Sequence, residues 1–184
     1  MKRQIRSNVF ETNSSSTHSI AISKAPAAIG KSIYFGIGEY GWENGSADPA
    51  DYLYTAILYV YSPEEAEEKI ENLKRILDKY DVSYEFEEPK YWTSPNGEYS
   101  CLDNGYIDHG DELGNFLNAV LNNEDLLMRY LFGNSKVYTG NDNQDGRLGG
   151  CDIAKAEYYD WDEKEWVLNP YHDSENYEYF YKGN

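Results

Sequence analysis

Glu11 and His18 stand seven positions apart in a run that reads Arg-Ser-Asn-Val-Phe-Glu-Thr-Asn-Ser-Ser-Ser-Thr-His-Ser over residues 6–19. An imidazole and a carboxylate held beside a phosphodiester can take a proton from a ribose hydroxyl and return one to the leaving oxygen. Histidine suits that work because its ordinary pKa lies near neutrality. Arg3 and Arg6 can offset charge developing on phosphate, and Asn13, Ser14, Ser15 and Ser16 can cradle the anion with side chains and backbone amides. Such a scheme needs no metal or cofactor, and it suits RNA rather than DNA, because only RNA supplies the 2′-hydroxyl. The same residue types also build ordinary turns, since Ser, Thr and Asn side chains bond their own backbone. His18 equally fits an ordinary strand position.

Charge sets this run apart. Residues 1–31 hold five cations, Lys2, Arg3, Arg6, Lys24 and Lys31, against the single acid Glu11. That is a net +4 on a chain of −17, so residues 32–184 carry −21. A general nucleic-acid binder presents a basic face, which this chain lacks overall. The charge pattern fits a local basic segment for RNA phosphate and an acidic remainder for a basic partner. Acidity also simply keeps a protein soluble.

Two further polar segments are candidates. Tyr106-Ile107-Asp108-His109 places His109 as a second imidazole to pair with His18, although Asp108, Asp111 and Glu112 equally suit a helix N-terminus. In Thr139-Gly140-Asn141-Asp142, Asp142 can line the same pocket as Glu11. The positions Asn141, Asn143, Asp145, Gly146 and Asp152 follow calcium-loop spacing only loosely. The segment before them reads as a strand rather than a helix, so no metal is expected there. Gly36-Ile37-Gly38-Glu39-Tyr40-Gly41 matches GxGxxG, but no helix pattern starts there, and a dinucleotide site is rejected. His172 is expected on the surface.

The elements that must position these residues follow from periodicity. His18–Lys24, Lys31–Ile37, Val82–Phe86, Tyr106–Ile107 and Lys136–Thr139 read as strands, and the chain from Cys151 onward is strand-like and aromatic. Leu53, Ala56, Ile57 and Val60 fall at helical spacing. Ser62, Pro63 and Glu65 then announce a capped helix whose apolar stripe is Ala66, Ile70, Leu73, Leu77 and Tyr80. Leu113–Leu121 and Leu126–Leu131 read as two more helical stretches, with Asn123 as a cap and Gly133 as a stop. Gly38–Pro49, residues 89–105 and Gly140–Gly150 read as loops. The order predicts an α+β fold, one domain over residues 1–184, with a mixed, mostly antiparallel sheet packed against amphipathic helices. Two distant cysteines and no long apolar run predict a soluble cytoplasmic protein of a host cell, with no membrane contact.

Phe10-Glu11-Thr12-Asn13-Ser14-Ser15-Ser16-Thr17-His18-Ser19 resembles a signature of small proteins encoded by phages and mobile elements of Gram-positive bacteria. The segments at 106–109 and 139–142 look like further pieces of that pattern. In size and start the chain is similar to streptococcal anti-CRISPR inhibitors of type II-A Cas9. The resemblance implies binding to a Cas9–guide RNA complex and shortening of the guide, which would be a metal-independent ribonuclease activity. Two other functions stay open: a non-catalytic acidic module that blocks the nucleic-acid channel of Cas9 or another DNA-binding protein, and an enzyme acting on a different phosphate-bearing substrate.

Overall fold

The computed structural model describes residues 16–41, 45–97, 100–141, 153–160 and 162–182. In chain order the elements are β1 (Ser16–Ser23), β2 (Ser32–Phe35), β3 (Glu39–Tyr40), β4 (Gly45–Ala47), α1 (Pro49–Val60), α2 (Pro63–Lys79), β5 (Ser83–Phe86), β6 (Tyr91–Thr93), β7 (Ser100–Leu102) and β8 (Tyr106–Ile107). A 3-10 turn (Gly110–Leu113), α3 (Gly114–Leu121), α4 (Glu124–Phe132), β9 (Lys136–Asn141), β10 (Glu157–Asp160), β11 (Glu165–Leu168) and β12 (Tyr177–Lys182) follow. The fold is α+β, with mostly antiparallel pairing and amphipathic helices against the strands.

β1 lies inside a four-stranded sheet of order β12-β1-β9-β4, and all eight of its residues are buried. Its two antiparallel ladders set His18 opposite Thr139 on one side and Lys182 on the other. Opposed residues share a face, so His18, Ile20 and Ile22 project together with Val137, Thr139 and Phe180. That face meets the helices, where Phe180 sits edge-on to Phe116 at 5.6 Å. The other face alternates small β1 residues, Ser19, Ala21 and Ser23, with Tyr177, Tyr179 and Tyr181 of β12.

Helix α1 is the hub of the core. Asp48 caps it by accepting from Ala50 and Asp51, Pro49 sits at its start, and Tyr52, Leu53, Ala56 and Ile57 have no exposure beyond 0 %. Its buried residues run from Ala50 to Leu58 on almost every side, which is why its sequence shows no clean stripe. α2 has the expected stripe: Ala66, Leu73 and Leu77 are buried, Ile70 and Tyr80 pack against them, and Ile76 joins the buried set. Each such buried Leu or Ile contributes about 1.5–3 kcal/mol. The Ser62–Glu65 capping box forms, Asn123 caps α4 through the Leu126 amide, and Gly133 ends α4. A Cβ at Gly133 would lie 2.3 Å from the Arg129 carbonyl oxygen, so only glycine lets the chain leave there.

The strands divide among several sheets rather than forming one. β2 and β5 pair in parallel across the α1–α2 connection, stacking Phe35 on Phe86 at 4.6 Å. β3 and β8 pair in parallel as well. Two expected loops contain strands. Gly38–Pro49 holds β3 and β4, whose partners β8 and β9 lie far along the chain, and residues 89–105 hold the β6–β7 hairpin. In both, pairing partners decide the conformation against a Gly- and Asn-rich composition.

Candidate functional site

His18 is placed by the register of β1, and its ring points from the sheet toward the first turns of α1. It has 0 % exposure. Its Nδ1 lies 2.9 Å from the hydroxyl of Tyr52, and its Nε2 lies 3.2 Å from the hydroxyl of Ser16. Ser16 donates in turn to the carbonyl oxygen of Asp108, at 3.3 Å. With the Ser16 proton directed to that carbonyl, the Ser16 oxygen accepts from Nε2–H, while the Tyr52 hydroxyl meets Nδ1. Tyr52 remains a hydroxyl, because burial, with Tyr40 adding to it, drives its pKa far above the ordinary range.

The Ser16–Asp108 bond joins two of the three polar segments, and the β1–β9 ladder joins the third, with Ser16 opposite Asn141 and Thr17 opposite Gly140. All three therefore converge at the start of β1. Asp108 is fixed there by its amide, which donates to the Tyr40 carbonyl at 2.9 Å. The neighbouring Gly41 has φ +134°, and a Cβ on it would come within 2.4 Å of the Asp108 Cβ. That crossing admits only glycine. Tyr40 continues the polar-aromatic row, with its ring 5.2 Å from that of Tyr52. Burial pushes the Tyr40 hydroxyl up, Asp51 and Asp48 add to the rise, and a hydrogen bond with Thr55 opposes it.

His109 does not complete an imidazole pair. It is exposed, in the left-handed conformation at φ 52°, ahead of the 3-10 turn. Among the described residues, Ser16 and Tyr52 meet the two ring nitrogens of His18 instead. Glu11, Arg3, Arg6, Asn13, Ser14, Ser15 and Asp142 lie outside the described residues, as do most positions of the loose calcium spacing. His172, expected on the surface, is half-buried: its Nδ1 lies 3.1 Å from the Ile153 carbonyl and its ring stacks on Tyr179 at 4.3 Å. Tyr52 was invisible to sequence reasoning, because its partner is 34 positions away and a tyrosine on an apolar helix reads as core.

The amides of the GxGxxG segment are already engaged. Three consecutive amides are taken by the chain's own acceptors: Gly36 donates to Asp51 at 2.6 Å, Ile37 to Glu87 at 2.8 Å and Gly38 to the Thr55 hydroxyl at 3.1 Å. A phosphate would need those donors. Burial raises the Asp51 pKa, with Asp48 and Glu87 adding repulsion, while the Gly36 amide pulls it down. Among the described residues no three His, Cys, Asp or Glu side chains are grouped to hold a metal ion, and no helix is long and apolar enough to cross a membrane.

No family model, curated protein or solved structure matches the chain.

Proposed function

We propose that this chain is a binding protein for a basic, nucleic-acid-handling partner, and that a type II-A Cas9–guide RNA complex is the instance implied by its N-terminal signature. The observation that carries the choice of binding over turnover is the placement of His18. The residue best suited to move a proton has no exposed surface, and neutral hydroxyls occupy both ring nitrogens. A general acid or base must come within hydrogen-bond reach of the reacting atoms. The acids, by contrast, lie outside: Glu157, Asp162, Glu163 and Glu165 are exposed on a body that carries −21 beyond residue 31. Such a surface complements a basic channel and speeds encounter with it.

The test is titration of the purified chain with Cas9–guide RNA at rising salt, with guide length read in the same samples. The expected result is saturable binding that weakens steeply with salt while the guide stays intact. Loss of salt dependence, or no binding at all, refutes the reading.

One observation favours a second reading, metal-independent guide-RNA cleavage. The three polar segments of the signature meet at the start of β1, five residues after Glu11. In that reading Glu11 and His18 form the acid–base couple and the basic N-terminal segment holds RNA phosphate. Shortening of labelled guide RNA by substoichiometric protein in the presence of chelator would select it, and would be lost in Glu11→Ala.

A further inference from the structure

We propose that the β10–β11 hairpin docks the chain onto a basic protein surface through the face that carries Trp166 and Leu168. This rests on the partner-binding reading and names the surface responsible. The hairpin pairs Glu157 with Leu168, Tyr158 with Val167, Tyr159 with Trp166 and Asp160 with Glu165. Alternate pairs project to opposite sides, so Leu168, Trp166, Tyr159 and Glu157 share one face. Trp166 is 67 % exposed and Leu168 76 %, the two largest values among the exposed large apolar side chains of the described residues. Tyr159 supports Trp166 edge-on at 5.7 Å. On the opposite face Tyr158 and Val167 are half-buried.

The ribbon is braced at both ends. At its base the buried Asn169 extends the ladder, its amide donating to the Ala156 carbonyl at 2.8 Å and its side chain to the Lys155 carbonyl at 2.9 Å. At its tip Asp160 accepts from the amides of Asp162 and Glu163, at 2.9 and 3.1 Å, and Lys164 takes a left-handed turn at φ 56°. A braced strand presents its apolar groups with little ordering left to do, which lowers the entropy cost of association.

Charge selects the occupant. Residues 157–168 contain five acids, Glu157, Asp160, Asp162, Glu163 and Glu165, and one lysine. Glu157 shares the Trp166 face, Asp162 and Glu163 lie at the tip, and Asp160 and Glu165 pair on the opposite face, so the hairpin as a whole, at net −4, repels nucleic acid, an anionic lipid surface and a second copy of itself. It attracts a surface of lysines and arginines that offers an apolar spot for Trp166. A central aromatic anchor within a charged rim is the anatomy of protein–protein hot spots.

The test uses the full chain and two variants in exposed positions, Trp166→Ser/Leu168→Ser and Asp162→Asn/Glu163→Gln. Each is titrated with the Cas9–guide RNA complex and with a peptide of alternating lysine, arginine and leucine, and circular dichroism checks that the fold is kept. The expected result is a loss of about tenfold or more in affinity for the first variant and a flattened salt dependence for the second. Wild type that binds the complex and a first variant that binds equally well would overturn the hairpin and leave the binding reading standing. Wild type that binds neither would overturn both. Binding of the peptide but not of the complex through the hairpin keeps the surface and removes Cas9 as its partner. Equal hairpin-dependent affinity for free guide RNA, or hairpin-dependent dimerisation in sedimentation, would also overturn the proposal.

Discussion

The hydroxyl of Tyr52 lies 2.9 Å from Nδ1 of His18, and neither residue has any exposed surface. A strand and a helix are thus pinned by a buried polar contact. Tyr52→Phe keeps the ring and removes the hydroxyl, leaving a buried ring nitrogen without that partner. The expected cost is about 1–3 kcal/mol in urea unfolding. Binding of the basic partner by the folded fraction should be unchanged. A Phe variant as stable as wild type would show that the contact contributes nothing.

Gly41 permits the approach that brings Asp108 to Ser16. Gly41→Ala combines a disfavoured φ of +134° with a contact of 2.4 Å. The expected destabilisation is about 1–3 kcal/mol. Because the Asp108 amide donates to the Tyr40 carbonyl, its hydrogen exchange should accelerate in the variant more than that of the Ile57 amide in α1. Uniform acceleration would point to global loss rather than to this crossing.

Asp51 is shifted in the opposite direction to Glu65, Glu124 and Asp173, whose hydrogen bonds hold them below the ordinary carboxylate range. Its pKa in the fold lies above the ordinary value of 3.8, because burial and the charges of Asp48 and Glu87 disfavour ionisation. The folded state therefore holds the proton more tightly than the unfolded state, and stability falls as pH rises from 3.8 through the raised folded value. Asp51→Asn keeps an oxygen for the Gly36 amide and removes the charge. It should be at least as stable as wild type at pH 7 and lack that downward step. Asp51→Ala, which strands the amide, should lose about 1–2 kcal/mol. An Asn variant clearly weaker than wild type at pH 7 would contradict the assignment.

Arg129 joins three elements with one side chain. It donates to the Ser23 carbonyl of β1 at 2.8 Å and to Asp125 of α4 at 2.9 Å, and lies 3.8 Å from Glu178 of β12. Its side chain is only 15 % exposed. Arg129→Ala should cost about 1.5–3 kcal/mol, and Arg129→Lys should recover little, since an ammonium cannot reproduce the fork. Full rescue by lysine in thermal unfolding would reduce the contact to simple charge.

What the sequence revealed depended on how local each signal is. The capping box of Ser62 and Glu65 and the Asn123 cap are contained within four residues, and they appear where expected. The α+β class follows from such local periods. Partnerships across long separations left no trace: the GxGxxG amides look vacant in sequence because Asp51, Thr55 and Glu87 lie far along the chain. β3 and β4 are too short to alternate visibly, and the partners that make them strands lie beyond two helices for β3 and four for β4. At the candidate site the sequence left open whether the polar segments meet, since the Ser16–Asp108 and β1–β9 contacts span 92 and more than 100 positions. The sealing of His18 was not anticipated, because Tyr52 belongs to a helix whose apolar residues surround it on all sides.

The pairing of His18–Ser23 with Tyr177–Lys182 has a consequence for how the molecule is made. During synthesis the early strand emerges long before its mate, so Ile20 and Ile22 stay without half of their ladder until the ribosome has finished the far segment. Assembly of this sheet is therefore a late, slow event that waits for the far segment, and helices α1 to α4 must shelter the waiting strand in the meantime.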